Sequence, residues 1–465
     1  MKKLYILIAY LIITLTNASA QKPTCTADAY AMLKNGQQEP VAKIIVEEFL
    51  TTKHFTLLNY VFFDDSSSVI PNRYHLLRKS EEADNFNPGM QFINFEILDV
   101  YYDIINIVGF RMRQDKSLNI TIKGCNSNSG GETGNLDLSK NRAESIRSYL
   151  SNIWKIEDSR MKVDEPRNLP DDPSISKVDP KLANEENRRV EIVGDWSILK
   201  PLVVNDTLRA SNPPSINFIT DVKTTKPIKN WKLYVKQSGT DLRKPFAGAG
   251  DPQKNLPWRI NREKDKMPSG KLPIIYWLEA TADLRGKSDN KQLPVEQISI
   301  TTKKKTRMQS KEYQRYSLIL FGFFSNDLAE HNLKILEMIK ENIEIKDSTR
   351  FYITGYTDMI GGDETNKKLS LGRAQRTGKE LTKYNVKANQ IIEKGLGNST
   401  NPYFKSSIEN LSVIGGQYID FTSEENANVA VADMGEEVMN FNKTPEGRFY
   451  CRTVVIEVEN LVEYK

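Results

Sequence analysis

One spacing pattern occurs twice in this chain. Gly124 is followed by Ser139, Arg142 and Ala143, and Gly355 by Ser370, Arg373 and Ala374, at the same offsets of 15, 18 and 19 residues. Such a repeat means that one supersecondary unit is built twice. The residues that follow share an apolar stripe. Ala143, Ile146, Leu150 and Ile153 match Ala374, Thr377, Leu381 and Tyr384 at i, i+3, i+7 and i+10, one face of a helix. Each copy opens on an aromatic stretch that reads as a strand, Tyr60-Val61-Phe62-Phe63-Asp64-Asp65 and Leu320-Phe321-Gly322-Phe323-Phe324. Each closes on another, Asn187-Arg188-Arg189-Val190-Glu191-Ile192-Val193 and Cys451-Arg452-Thr453-Val454-Val455-Ile456-Glu457-Val458. In the second copy, Leu333, Leu336, Ile339 and Ile343 give a first helix its apolar face, and 350–354 alternates as a strand. The fold class is therefore α+β: two β-α-β-α-β modules, each with helices on one side of a mixed sheet.

Between them lies a stretch with period two. Trp231, Leu233 and Val235 alternate with Lys232, Tyr234 and Lys236, and Ile274, Tyr276, Leu278 and Ala280 with Ile275, Trp277, Glu279 and Thr281. Pro and Gly punctuation between such strands predicts a central all-β sandwich. The boundaries expected are a signal peptide at 1–20, an N-terminal segment at 21–56, a first module at 57–197, the sandwich at 198–304 and a second module at 305–465.

Lys2 and Lys3, an apolar run to Thr16 and Ala18-Ser19-Ala20 have the form of an export signal cleaved before Gln21. The run is short of the about 20 residues that span a bilayer, so no transmembrane span is expected in the mature chain. The 21–56 segment has room for two strands and not for a β-barrel. A formal charge of +5 over 465 residues identifies no polyanion. The densest basic run, Lys303-Lys304-Lys305-Thr306-Arg307, reads as a solvated linker, and nothing indicates nucleic acid. Cys25, Cys125 and Cys451 are odd in number, which leaves their pairing open. His54, His75 and His331 read as surface or boundary residues outside any catalytic motif. No enzyme, metal or cofactor is expected.

Gly355-Tyr356-Thr357-Asp358 followed by Leu369-Ser370-Leu371-Gly372-Arg373-Ala374 resembles the signature of the OmpA-like peptidoglycan-binding domain family (the OmpA, Pal and MotB C-terminal type). The resemblance covers about 57–194 and 316–459, and the central sandwich resembles the immunoglobulin-like spacers found between such modules. It implies that Asp358 and Arg373, with Thr357 and Ser370, grip the diaminopimelate side chain of the wall peptide. A zwitterion needs a carboxylate for its ammonium and a planar fork for its carboxylate, which a guanidinium supplies. Ser139 and Ser370 are expected as helix N-caps, which would set Arg142 and Arg373 in the first turn, against the macrodipole. The first copy keeps the closing Asn187-Arg188-Arg189-Val190 but has Ser127 at the place of Asp358. It offers a weaker site from Asp64, Ser127 and Arg142, with Glu132 a local acid for Arg142. The second copy departs at Gly322 and Phe324 in its opening strand and at Cys451 and Thr453 in its closing one.

The function implied is a non-catalytic protein of the periplasm, associated with the outer membrane or wall. It would bind diaminopimelate-type peptidoglycan and tether it to an outer-membrane or envelope partner, reached through the sandwich. The alternative is a secreted or periplasmic scaffold whose modules no longer bind the wall.

Overall fold

One arrangement of four strands is built twice, as a whole sheet in the first copy and as part of a seven-stranded sheet in the second. In the first copy Tyr60–Phe62 pairs antiparallel with Arg189–Gly194, which pairs antiparallel with Ile120–Gly124, which pairs parallel with Met161–Val163. In the second, Gln309–Leu318, Val454–Glu463, Arg350–Gly355 and Ile391–Gly395 follow the same order and senses. The computed structural model describes residues 22–88, 97–177, 179–261, 263, 266–322, 325–398, 416–419 and 441–464. The signal expected at 1–20, and Phe323 and Phe324, lie outside these residues; the opening strand of the second copy is Gln309–Leu318, and Leu320 to Gly322, expected within it, follow its end.

Among the described residues, each module has a strand and a helix that the expected β-α-β-α-β lacks. The added strands are Met161–Val163 and Ile391–Gly395. The added helices, Pro180–Asn187 and Pro445–Cys451, each start on a proline behind a capping side chain. Asp179 accepts from the Leu182 amide and Thr444 from the Gly447 amide, while proline at the first helical position gives up a donor that no turn would use. The closing strands therefore begin at Arg189 and Val454, not at Asn187 and Cys451, which end these helices.

The repeated Gly-to-Ser spacing has a steric cause. A Cβ on Gly124 would lie 1.9 Å from the carbonyl oxygen of Ser139, and one on Gly355 would lie 1.9 Å from that of Ser370. Strand and helix touch backbone to backbone there, which only glycine permits. This contact places both serines inside their helices, not at the N-caps. The helices are Leu136–Trp154, capped by Asn135, and Asp363–Leu381, preceded by Gly362. Arg142 and Arg373 thus sit beyond the first turn, where the macrodipole cost expected for them has faded.

The described chain divides into two compact units, one drawn from Met1–Glu47, Ala210–Ile298 and Gly415–Thr422, the other from Glu48–Arg209, Ser299–Ile414 and Ser423–Lys465. The first is a sandwich of two antiparallel sheets around one core that includes Ala29, Phe218, Trp231, Leu233, Tyr276 and Leu278. The expected separate segment at 21–56 is not one. Thr24–Leu33 pairs with Ile216–Lys223 inside the sandwich, whereas residues 50–54 pair with 312–316 in the sheet of the second module.

The second unit holds both modules, each with its own core, and residues cross between them over the boundaries expected at 57–197 and 305–465. Phe449 and Tyr450 of the helix Pro445–Cys451 are buried in the first module's core with Leu58, Phe62 and Tyr101. The Tyr450 hydroxyl donates to the Thr56 carbonyl at 3.1 Å and accepts from the Leu58 amide at 3.0 Å. In return Trp196 packs on the second module's core.

Two local expectations are corrected in this unit. Lys303 is no linker residue. It lies in the helix Ile300–Thr306, fully buried, with Nζ donating to the Glu48 carbonyl at 2.7 Å and sitting 3.9 Å from the centre of the Phe49 ring. His54 is buried and stacked on Tyr316, and burial lowers its pKa to about 4. Cys25, Cys125 and Cys451 are all buried and free. Among the described residues no helix is long and apolar enough to cross a membrane, and no cluster of side chains could hold a metal ion.

Gly124→Ala and Gly355→Ala should each destabilise the protein by more than the about 1–3 kcal/mol usual for overpacking, because the clash is with backbone. Urea unfolding of the single variants reads this, and an unchanged midpoint would disprove the contact.

Candidate functional site

Arg142 and Arg373 occupy equivalent cradles. The Nε of Arg142 donates to the Ser67 carbonyl at 2.8 Å, Nη1 to Cys125 at 3.1 Å and Nη2 to Asp64 at 3.1 Å. The Nε of Arg373 donates to the Ser325 carbonyl at 3.0 Å, Nη1 to Tyr356 at 3.5 Å and Nη2 to Gly322 at 3.3 Å. Each guanidinium also lies over the ring of the opening stretch, Phe63 or Phe321. Both are buried. Backbone carbonyls thus orient two cations identically, and the copies differ in what completes them.

In the first copy the completing group is Glu132. Its Oε1 lies 2.5 Å from Arg142 Nη2, and its Oε2 accepts from the Ser127 amide and hydroxyl, each at 2.8 Å. Arg188 approaches the same carboxylate at 3.5 Å. Burial alone would push this carboxyl up, but Arg142 and the Ser127 donors outweigh it and hold it at about 2. Ser127 is therefore a donor to an internal acid. The Asp64 side chain faces solvent and pairs with Arg73 at 2.9 Å, so only its carbonyl reaches Arg142. The three residues expected to form the weaker site are neighbours, but an internal carboxylate fills their centre.

In the second copy no carboxylate among the described residues pairs with Arg373. Burial, with Arg452 nearby and Asp358 opposing, brings its guanidinium down to about 9, still charged at neutral pH. It lines a small pocket with Thr357, Asp358, Asn366 and Arg452. The Thr357 hydroxyl is buried with no hydrogen-bond partner among the described residues. Ser370 is not in the pocket lining. Its hydroxyl donates to the Lys367 carbonyl and accepts from the Gly397 amide at 2.9 Å, which ties the signature helix to the loop after Ile391–Gly395.

Asp358 does not pair with Arg373. Its Oδ2 accepts from Arg452 Nε at 2.6 Å, and its Oδ1 accepts from the Ile360 amide at 3.2 Å. The strand registers set Val190 opposite Gly124 and Val454 opposite Gly355. Arg452 is thus the counterpart of Arg188, two positions before each valine. The closing strand of the second copy keeps this arginine despite Cys451 and Thr453. That alignment was available in the sequence; what Arg452 meets on its other side was not.

A model of the OmpA family matches residues 97–172 and 320–411. Outer membrane protein A of Shimwellia blattae is 32% identical over 108 residues, 23% of this chain and 44% of that relative. The relative of the same name in Escherichia coli O157:H7 is 31% identical over 107 residues, 22% of this chain and 30% of its own length. The chain thus spans less than half the length of these curated relatives. Among solved structures, the peptidoglycan-associated lipoprotein of Burkholderia pseudomallei is similar at 17% identity over 30% of this chain and 91% of its own, with a TM-score of 0.20.

Glu132→Gln should cost about 3 kcal/mol at neutral pH, because it leaves the buried Arg142 without its counter-charge. A carboxyl whose pKa is depressed by folding stabilises fully above its ordinary value and loses that contribution as pH falls toward about 2. The stability gap between wild type and variant in urea titrations should therefore close between about pH 4.5 and 2. A gap independent of pH would rule out the ion pair.

The motif repeat, the repeated sheet topology and the two matched segments lead to one assignment: the chain carries two OmpA-family domains in tandem, at residues 97–172 and 320–411.

Proposed function

We propose that the second module binds the free end of a diaminopimelate side chain in peptidoglycan, and that the protein is a non-catalytic, exported envelope component that holds the wall. The observation that carries this reading is the contrast between two equal cradles. Arg142 is completed by Glu132, while Arg373 lines a pocket and pairs with no carboxylate among the described residues. A buried guanidinium with its backbone contacts made still has a full charge to satisfy, and a ligand carboxylate does so bidentately. Asp358 across the same pocket would take the ammonium, and Thr357 has a hydroxyl to offer. The first module is structural in this reading. The sandwich is the remaining surface for an outer-membrane or envelope partner.

One observation favours the alternative, a scaffold that no longer binds the wall: Asp358 is already engaged by Arg452. Cosedimentation of the protein with purified sacculi decides between them. Wild type should pellet with sacculi, and Arg373→Ala should weaken binding by about tenfold to a hundredfold, the equivalent of one charge-assisted hydrogen bond. Arg373→Lys should also weaken it, since an ammonium lacks the fork. Binding equal to wild type in all variants would place any ligand elsewhere.

Ser127→Asp should not create a second site. It would set a carboxylate where Ser127 now donates to Glu132 at 2.8 Å, and like charges so placed repel. The expected outcome is lower stability with unchanged wall binding. Tighter binding by this variant would show that the first module is an open site missing only an acid.

A further inference from the structure

We propose that Glu186, a residue of the first module, is a positioning residue for the second module's site and makes that site selective for a zwitterion over a plain carboxylate. The inference rests on the function proposed above.

Glu186 lies in the helix Pro180–Asn187 and is fully buried. Its Oε1 accepts from Arg448 Nε at 2.7 Å and Arg452 Nη2 at 2.7 Å, and its Oε2 from Arg452 Nη2 at 2.8 Å and the Ser174 hydroxyl at 2.5 Å. Arg452 is thereby held from behind, with its Nε on Asp358 Oδ2 at 2.6 Å. Arg448 continues the chain to Glu185 at 3.0 Å. A buried carboxylate held by four contacts from three donors has one geometry, so it fixes the guanidinium that fixes Asp358.

The charge count gives the selectivity. Among the described residues, Asp358, Glu185 and Glu186 balance Arg373, Arg448 and Arg452. A neutral cluster of this kind accepts a zwitterion, whose ammonium and carboxylate also cancel. Glu186 also shares Arg452 with Asp358, so the aspartate keeps negative character toward the pocket. Without Glu186 the described cluster carries one excess positive charge, and Arg452 loses the contact that draws it away from Asp358. The pocket would then favour a carboxylate alone and repel the ammonium.

The test uses the full chain and two synthetic peptides, L-Ala-γ-D-Glu-meso-diaminopimelate and the same peptide ending in 2-aminopimelate, which lacks the distal ammonium. Calorimetric titration of the wild type should show tighter binding of the first peptide by about tenfold, the worth of one charge-assisted contact. In Glu186→Gln that preference should vanish, while affinity for the 2-aminopimelate peptide is kept or raised. Glu186→Asp, which keeps the charge, should restore part of the preference and serves if the glutamine variant does not fold. A parallel loss of affinity for both peptides would mean that Glu186 is only structural, and an unchanged preference would also overturn the proposal. A wild type that binds neither peptide would overturn the underlying function itself.

Discussion

Three buried guanidinium groups, those of Arg373, Arg448 and Arg452, converge on one end of the second module. Burying a cation costs several kcal/mol unless carboxylates and carbonyls meet it in good geometry. The rest of this region can be read as the answer to that cost. Arg448 and Arg452 are met by Glu186, whose own carboxyl is held below the ordinary range because the two arginines outweigh its burial. Glu186 comes from the other module, so the second module draws on its neighbour for counter-charge. The helix Pro445–Cys451, which carries Arg448, also carries Phe449 and Tyr450 into the first module's core. Ion pairs and apolar burial therefore fasten the modules at the same place.

The two modules show how one cradle serves two ends. Three backbone carbonyls and an aromatic ring aim each arginine, and this part survives in both copies. What differs is the single carboxylate of Glu132. It occupies the first copy as an internal counter-ion and satisfies Arg142, Ser127 and Arg188 together. Affinity for a ligand and stability without one draw here on the same contact. The first copy has settled on stability.

Much of this was legible in the sequence. The offset from glycine to serine, arginine and alanine occurs twice because a backbone contact and a helix period impose it, and such constraints leave a regular trace. Glu132 was visible as a local acid for Arg142. The helices Pro180–Asn187 and Pro445–Cys451 were masked by the strands they precede, though Thr444-Pro445 is a recognisable start. Glu186 was out of reach, since it meets Arg452 across 266 residues and no spacing records such a contact. Lys303 likewise looks like its neighbours in a basic run, and only the place taken by Phe49 and Glu48 singles it out for burial. Ser139 and Ser370 misled because serine at an expected helix start reads as a cap, while their hydroxyls bond within the module, Ser139 to the Arg167 carbonyl and Ser370 to the Gly397 amide.

The Tyr450 hydroxyl bonds to residues 392 and 394 positions earlier in the chain. Contacts of such separation form late, after the loop between them has been closed at an entropic cost. Until Pro445–Cys451 has been synthesised and delivered, the first module has an unfilled place beside Leu58, Phe62 and Tyr101. A chain made in order, first residues first, holds this module incomplete until nearly its end. The interlock thus makes one seven-residue helix the last piece of the first module's core, and a protease that met the chain earlier would find that module open.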